Sequence, residues 1–211
     1  MKKFPLFALT LLLVLSSCSS KYLTSSTNVS QEKKSYDKIL VVGISKDLTT
    51  RIRFENQIVM DFAKVGVNAL SSVDVIKKDS FNKKLTEAEI DMLRNTLKEA
   101  GFDGIIITNV IDTSQYTDVI PGNTNTAYYP ARYGRFGRYY SYYPVTYWEP
   151  DRVVTGVKYT MESVLYDLRI DDTDNLQWVG RFQIKDPSSL SKSVTKYADE
   201  LVDALMESSI Q

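Results

Sequence analysis

The chain has 211 residues with 26 basic and 26 acidic side chains, no histidine and a single cysteine. Balanced charge gives no global attraction to nucleic acid, and the lack of histidine removes the commonest zinc ligand and the commonest general base together. One cysteine permits no internal disulfide, so packing and hydrogen bonding must hold the fold.

Residues 1–18, MKKFPLFALTLLLVLSSC, begin with two lysines close together and continue as an apolar run from Phe4 to Leu15. About a dozen apolar residues match a signal-peptide core and fall short of the ~20 that cross a bilayer as a helix. The run ends in Leu15-Ser16-Ser17-Cys18, which resembles the lipobox of bacterial lipoproteins. The resemblance implies that residues 1–17 are a cleaved signal peptide. It also implies that Cys18 carries a diacylglyceryl thioether and an N-acyl group such as palmitate, which fix the chain to a membrane through their acyl chains at ~0.8 kcal/mol per buried methylene. Cleavage takes away Lys2 and Lys3, leaving the mature chain slightly acidic, and acylation leaves it without a thiol nucleophile.

Residues 18–36 are rich in Ser, Thr, Asn and Lys and lack apolar periodicity, the composition of a flexible tether. No Asp follows Cys18. By resemblance to known lipoprotein sorting rules, this implies a cell-envelope location at the outer membrane, on its periplasmic face.

From residue 37 the pattern is that of a single α/β domain. Residues 38–44, KILVVGI, form a continuous β-branched run, as expected of a strand buried on both faces. A helix follows, with Phe54, Ile58, Phe62 and Val65 on one stripe and Gly66 as its left-handed stop. Residues 67–76 read as a second strand. Thr86 and Glu89 then make a capping box, with Leu85 and Ile90 at the staple positions, and Ile90, Leu93, Leu97 and Ala100 line the helix that Gly101 ends. Ile105, Ile106 and Ile107 start a third strand. Strand, helix, strand, helix, strand in this order implies right-handed crossovers and a sheet whose first part is parallel.

Residues 154–168 and 176–184 read as antiparallel neighbours. In the second, Leu176, Trp178, Gly180, Phe182 and Ile184 alternate with Gln177, Val179, Arg181 and Gln183. Their connector, residues 171–175, is a turn by composition and lacks the Gly and distal Glu of a calcium loop. A last helix, capped by Ser188 or Ser189, carries Leu190, Val194, Ala198, Leu201 and Leu205 as its apolar stripe. The expected architecture is a mixed sheet of about five strands in the order β-α-β-α-β-(long aromatic loop)-β-β-α, with helices packed on the sheet.

That loop, residues 121–151, is longer than compact domains usually keep without a role. It carries Tyr128, Tyr129, Tyr133, Phe136, Tyr139, Tyr140, Tyr142, Tyr143, Tyr147 and Trp148, interleaved with Arg132, Arg135 and Arg138, and no carboxylate lies between Asp118 and Glu149. Tyr and Arg anchor protein interfaces, and aromatic rings also stack on sugars and settle at lipid head groups. The segment therefore reads in three ways: a hairpin or Ω-loop packed on itself, a surface for an envelope protein, or a contact for head groups or cell-wall glycan. Nucleic acid is not expected as a partner of an exported, slightly acidic chain.

Chemistry is sparsely signalled. The sequence has no nucleophile elbow, phosphate loop, dinucleotide fingerprint or Cys/His metal spacing, so no cofactor and no metal are expected. Asp103, Asp112, Asp118 and Glu162 are the carboxylates from which a glycan-processing pair would have to be drawn. Their spacing specifies nothing, and the expectation is a protein without catalytic residues.

Residues 37–211 are similar to small Bacteroidetes-type lipoproteins in the KILVVGI strand, the helix with Arg51, Phe54 and Glu55, the aromatic excursion after PGNT and the return strand YTMESVLYD. Over residues 38–111 the strand and helix order also resembles the N-terminal domain of the Tol-system translocation protein and the periplasmic domain of curli-secretion lipoproteins. These resemblances imply binding or assembly at the envelope.

Overall fold

The apolar runs become the middle of a six-stranded mixed sheet. The computed structural model describes residues 21–76, 86–133, 139–170, 175–187 and 189–211, with the backbone alone at 129–133, 139–141 and 143. Its elements are β1 (Leu23–Asn28), β2 (Ile39–Gly43), α1 (Leu48–Lys64), β3 (Ala69–Ser71), α2 (Ser72–Val75), α3 (Glu87–Glu99), β4 (Gly104–Ile120), β5 (Thr124–Tyr133), β6 (Tyr139–Trp148), β7 (Arg152–Asp167), β8 (Leu176–Lys185) and α4 (Leu190–Ser208). The sheet order is β1-β8-β7-β4-β2-β3, and β5 and β6 form a separate two-stranded ladder. The fold is mixed α/β, as the sequence leads one to expect.

β2 shows why its sequence is apolar without alternation. Ile39 and Val41 face the layer of α1 and α4, where they meet Phe54, Ile58, Phe62, Leu201 and Leu205. Leu40 and Val42 face the opposite layer, with Leu97 of α3, Phe102 and Ile105. With helices on both faces, neither side of the strand can be polar. β2 pairs in parallel with β3 and with β4, while β7 runs antiparallel to both β4 and β8.

The helix ends follow their local chemistry. Asp47 caps α1 by accepting from the Thr49 and Thr50 amides, and the Thr86/Glu89 capping box starts α3. Gly66 and Gly101 take positive φ of 80° and 81° just after α1 and α3, conformations that only Gly adopts without strain. Ser189 caps α4. Leu85, the other staple residue, Ser188 and most of the 171–175 turn lie outside the described residues.

Four expectations are corrected. Residues 67–76 are not one strand: β3 spans three residues, because the Ser71 hydroxyl accepts from Val73 N–H and turns the chain into α2. Val65, Ile90, Ala100 and Leu190, expected on apolar stripes, are exposed, since all four stand at or near helix ends that overhang the core. Residues 18–36, expected to be a flexible tether, include β1, which pairs with β8 from Leu23 to Asn28. Pairing needs backbone rather than apolar side chains, so composition concealed this edge strand. It is held further by Trp178 Nε1 donating to Ser26 Oγ at 2.9 Å and by a bridge from Lys34 to Ile210. The fourth correction concerns residues 121–151.

Candidate functional site

Of the expected forms, the aromatic segment takes the hairpin rather than the loop: it is two paired strands, and it prolongs two others. β2 pairs with β4 over residues 104–108, and β8 accompanies β7 only as far as Lys158, opposite Lys185. Beyond Ser114 and Lys158, β4 and β7 pair with each other as far as Ile120 and Arg152. β5 and β6 then continue the ribbon from Thr124, opposite Trp148, to Tyr133, opposite Tyr139. At ~3.3 Å per residue, the arm from Ser114 to Tyr133 has a contour of about 60 Å.

The junction is tightly made. Gly122 N–H donates to Asp151 Oδ1 at 2.7 Å and Glu149 N–H to the Asn123 carbonyl at 2.9 Å. A Cβ on Gly122 would lie 1.7 Å from the Glu149 carbonyl oxygen, so only Gly lets the strands approach here. At the root, Asp186 takes a positive φ of 42° and accepts from Val157 N–H at 2.8 Å and from the Tyr116 hydroxyl. These bonds hold its carboxyl below the usual range, with the Tyr116 hydroxyl the larger cause. Lys185 Nζ stands 4.7 Å from the Tyr116 ring centroid and 3.7 Å from Asp118. The clamp ties the arm's root to the end of β8.

The arm's surface is apolar and wet. Trp148, Tyr128 and Tyr142 are 65%, 66% and 59% exposed, and Val119, Val145, Tyr147 and Val153 are exposed as well. Opposed pairs share a face, so Thr113/Tyr159, Gln115/Val157, Thr117/Thr155 and Val119/Val153 make one side of the ribbon's first half wholly uncharged. A two-stranded hairpin is marginal by itself in water, and its bare edges are ready templates for contact.

Of the sequence-predicted contact residues, Tyr128, Tyr142, Tyr147 and Trp148 come together on the arm as exposed side chains. Tyr129, Arg132, Tyr133, Tyr139, Tyr140 and Tyr143 occupy ladder positions whose side chains are not described, and Cys18, Arg135, Phe136 and Arg138 lie outside the described residues.

The candidate carboxylates do not form one cluster: by register only Asp112 and Glu162, diagonal neighbours across β4 and β7, come near each other. Asp103 accepts from the Asp37 and Lys38 amides at 2.8 and 3.0 Å, tying the chain into β2. Asp118 stands on the arm, at the far end of β4. Glu162 accepts from Arg181 Nε at 2.9 Å, and Asp112 faces Thr160 just past a bulge. Among the described residues, no cluster of carboxylates or other donors is arranged to hold a metal.

Two features escaped the sequence reading. Glu55, fully buried, accepts from Gly43 N–H, Arg51 Nε and Ser72 Oγ at 2.8, 2.8 and 2.7 Å through one oxygen. Its other oxygen accepts from Ser71 Oγ and Val73 N–H at 2.6 and 3.1 Å. A carboxylate so fully engaged ties α1 to the carboxyl ends of β2 and β3 and has no capacity left for a ligand. The signal was Arg51 and Glu55, four apart beside an apolar stripe. The second feature is an apolar cavity of about 340 Å³ lined by Phe54, Val110, Tyr159, Met161, Ile184 and Tyr197 among others. Its walls come from five elements, so no local pattern announces it. Burial pushes the Tyr197 hydroxyl well above its ordinary pKa and keeps it neutral, and the hydroxyl is bonded to Ser163 Oγ at 2.7 Å.

Residues 1–19 match the family model of the prokaryotic membrane lipoprotein lipid attachment site. No characterised protein matches the chain in sequence. Among solved structures, the chain is similar to the PelC dodecamer from Paraburkholderia phytofirmans, with 9% identity and a TM-score of 0.44 over 89% of this chain and 97% of that one. It is also similar to lipoprotein GNA1162 from Neisseria meningitidis, with 14% identity and a TM-score of 0.40 over 81% and 99%. The attachment site makes the chain a lipid-anchored protein of the bacterial cell envelope.

Proposed function

We propose that this lipoprotein works by contact rather than turnover, acting at the envelope through the arm formed by β4 to β7. On this reading Cys18 is the lipidated residue, the anchor lies in the periplasmic leaflet of the outer membrane, and the domain expected over residues 37–211 reaches back to Tyr22. The role, binding or assembly, is the one implied by the resemblance to Bacteroidetes-type, Tol-system and curli-secretion proteins.

The observation that carries the reading is the exposure of Tyr128, Tyr142 and Trp148 on a ribbon that leaves the sheet. Large aromatics held in water on a projecting element supply little to the fold and much to a contact. A photo-crosslinking side chain placed at Tyr128 or Tyr142 in intact cells should form adducts with another envelope component. The same group at exposed Met92 on α3 should not. An arm that gives no more adducts than Met92 would sink the proposal.

A further inference from the structure

The lipid anchor and the arm leave the same end of the sheet. β1 runs antiparallel to β8, with Leu23 opposite Phe182, and the Tyr22 carbonyl accepts from Gln183 N–H at 2.8 Å. The chain upstream of Tyr22 therefore heads past Lys185. Lys185 pairs with Lys158 and Lys158 with Ser114, so this is the end from which the arm departs. The exit is pinned: the Tyr22 and Leu23 amides both donate to Glu200 Oε2, at 2.7 and 2.8 Å, and Lys196 Nζ stands 4.4 Å from the Tyr22 ring centroid.

Chain length then limits how far the arm can stand from the membrane. Cys18 lies four residues before Tyr22, and four residues reach at most about 14 Å. β7 is two strands from β1, about 10 Å at ~4.8 Å per strand. The arm root is thus within roughly 25 Å of the lipid surface, and the arm itself has a contour of about 60 Å.

We infer that the bilayer holding Cys18 is itself a ligand of the arm, which lays Tyr128, Tyr142 and Trp148 into the interfacial layer. This rests on the arm being the contact surface and adds what it touches. The register puts Trp148 opposite Thr124, Tyr128 opposite Pro144 and Tyr142 opposite Pro130, so all three project from one side. Tyr and Trp favour the zone where one end of the side chain is apolar and the other wet. The ribbon's edges decide between the interface and the hydrocarbon. Their amides and carbonyls have no strand beside them among the described residues; hydrocarbon cannot satisfy such groups, whereas water and head groups can.

The two tryptophans of the chain supply the test, because Trp178 is fully buried and Trp148 is not. Emission from lipidated full-length protein in phosphatidylcholine vesicles, minus that of the Trp148→Phe variant, reports Trp148 alone. The expected result is a blue shift relative to unlipidated protein in solution. Quenching should be stronger with lipids brominated near the glycerol end of the acyl chain than near its methyl end. Water-like emission without quenching would overturn the inference, and stronger methyl-end quenching would overturn the interfacial placement. If Trp148 stays in water while crosslinks from Tyr142 still capture a protein or glycan in cells, the bilayer inference falls and the arm remains the contact surface.

Discussion

Body and arm use the same residue types to opposite ends. In the body, Tyr197 and Trp178 are enclosed, the phenol bonded to Ser163 and the indole to Ser26. On the arm, Tyr128, Tyr142 and Trp148 keep more than half their surface in water. A buried aromatic contributes its full transfer free energy to the fold; one that is more than half exposed leaves most of that free energy unrealised until something covers it. Stability should therefore reside in the body and contact in the arm.

The largest effect should follow from breaking the Glu55 network. Glu55→Ala leaves the buried Arg51 guanidinium without its carboxylate, and breaking a buried ion pair costs about 3–5 kcal/mol, read as a lower urea midpoint. Gly180→Ala comes next. The Trp178 ring tip lies 2.1 Å from where the new Cβ would stand, and overpacking of this kind costs about 1–3 kcal/mol. Because that indole also bonds Ser26, amide exchange in β1 should rise more than in β2.

At the arm the expected change in stability is small. Tyr142→Ala and Trp148→Ala should each leave the urea midpoint within about 0.5 kcal/mol of the parent, as surface substitutions do. A drop comparable with that of Gly180→Ala would show that the arm's aromatics are packed after all and would dissolve the contrast with the body.

What the sequence disclosed follows the same division. β2, α1, β8 and α4 were legible because burial imprints a period on the residues, four hydrophobic positions in a row at 39–42 and a stripe from Val194 to Leu205. By contrast α3, of whose expected stripe only Leu97 is buried, was legible through its cap at Thr86. β1 was not, since an edge strand of Leu, Thr, Ser and Asn is specified by the backbone of β8 rather than by its own side chains. The arm was recognised by composition, with the hairpin named among its forms but its strands not placed. With Trp148 and Tyr147 exposed on opposite sides of its ladder, the sequence of residues 124–133 and 139–148 lacks the apolar/polar alternation that marks a half-buried strand. The cavity and the Glu55 network join distant segments, so only the fold brings them together.

The smallest expected effect sharpens the boundary between the two regions. Asp186 is exposed, and its carboxylate is favoured in the folded chain by the Tyr116 hydroxyl and the Val157 amide. With the folded pKa depressed, the clamp's contribution is present above the unfolded value of ~3.9 and is lost as pH falls through the lower folded one. Protection of the Val157 amide, its exchange relative to the intrinsic rate at each pH, should therefore fall below about pH 4, while protection in β2 is kept over the same interval. Asp186→Asn removes the titrating group, so exchange at Val157 should start faster and lose its acid dependence relative to neighbouring amides. If β2 and Val157 instead loosened together in the parent, the arm root would be part of the body's cooperative unit, and the hinge between stability and contact would have to lie further out, at Gly122 and Asp151.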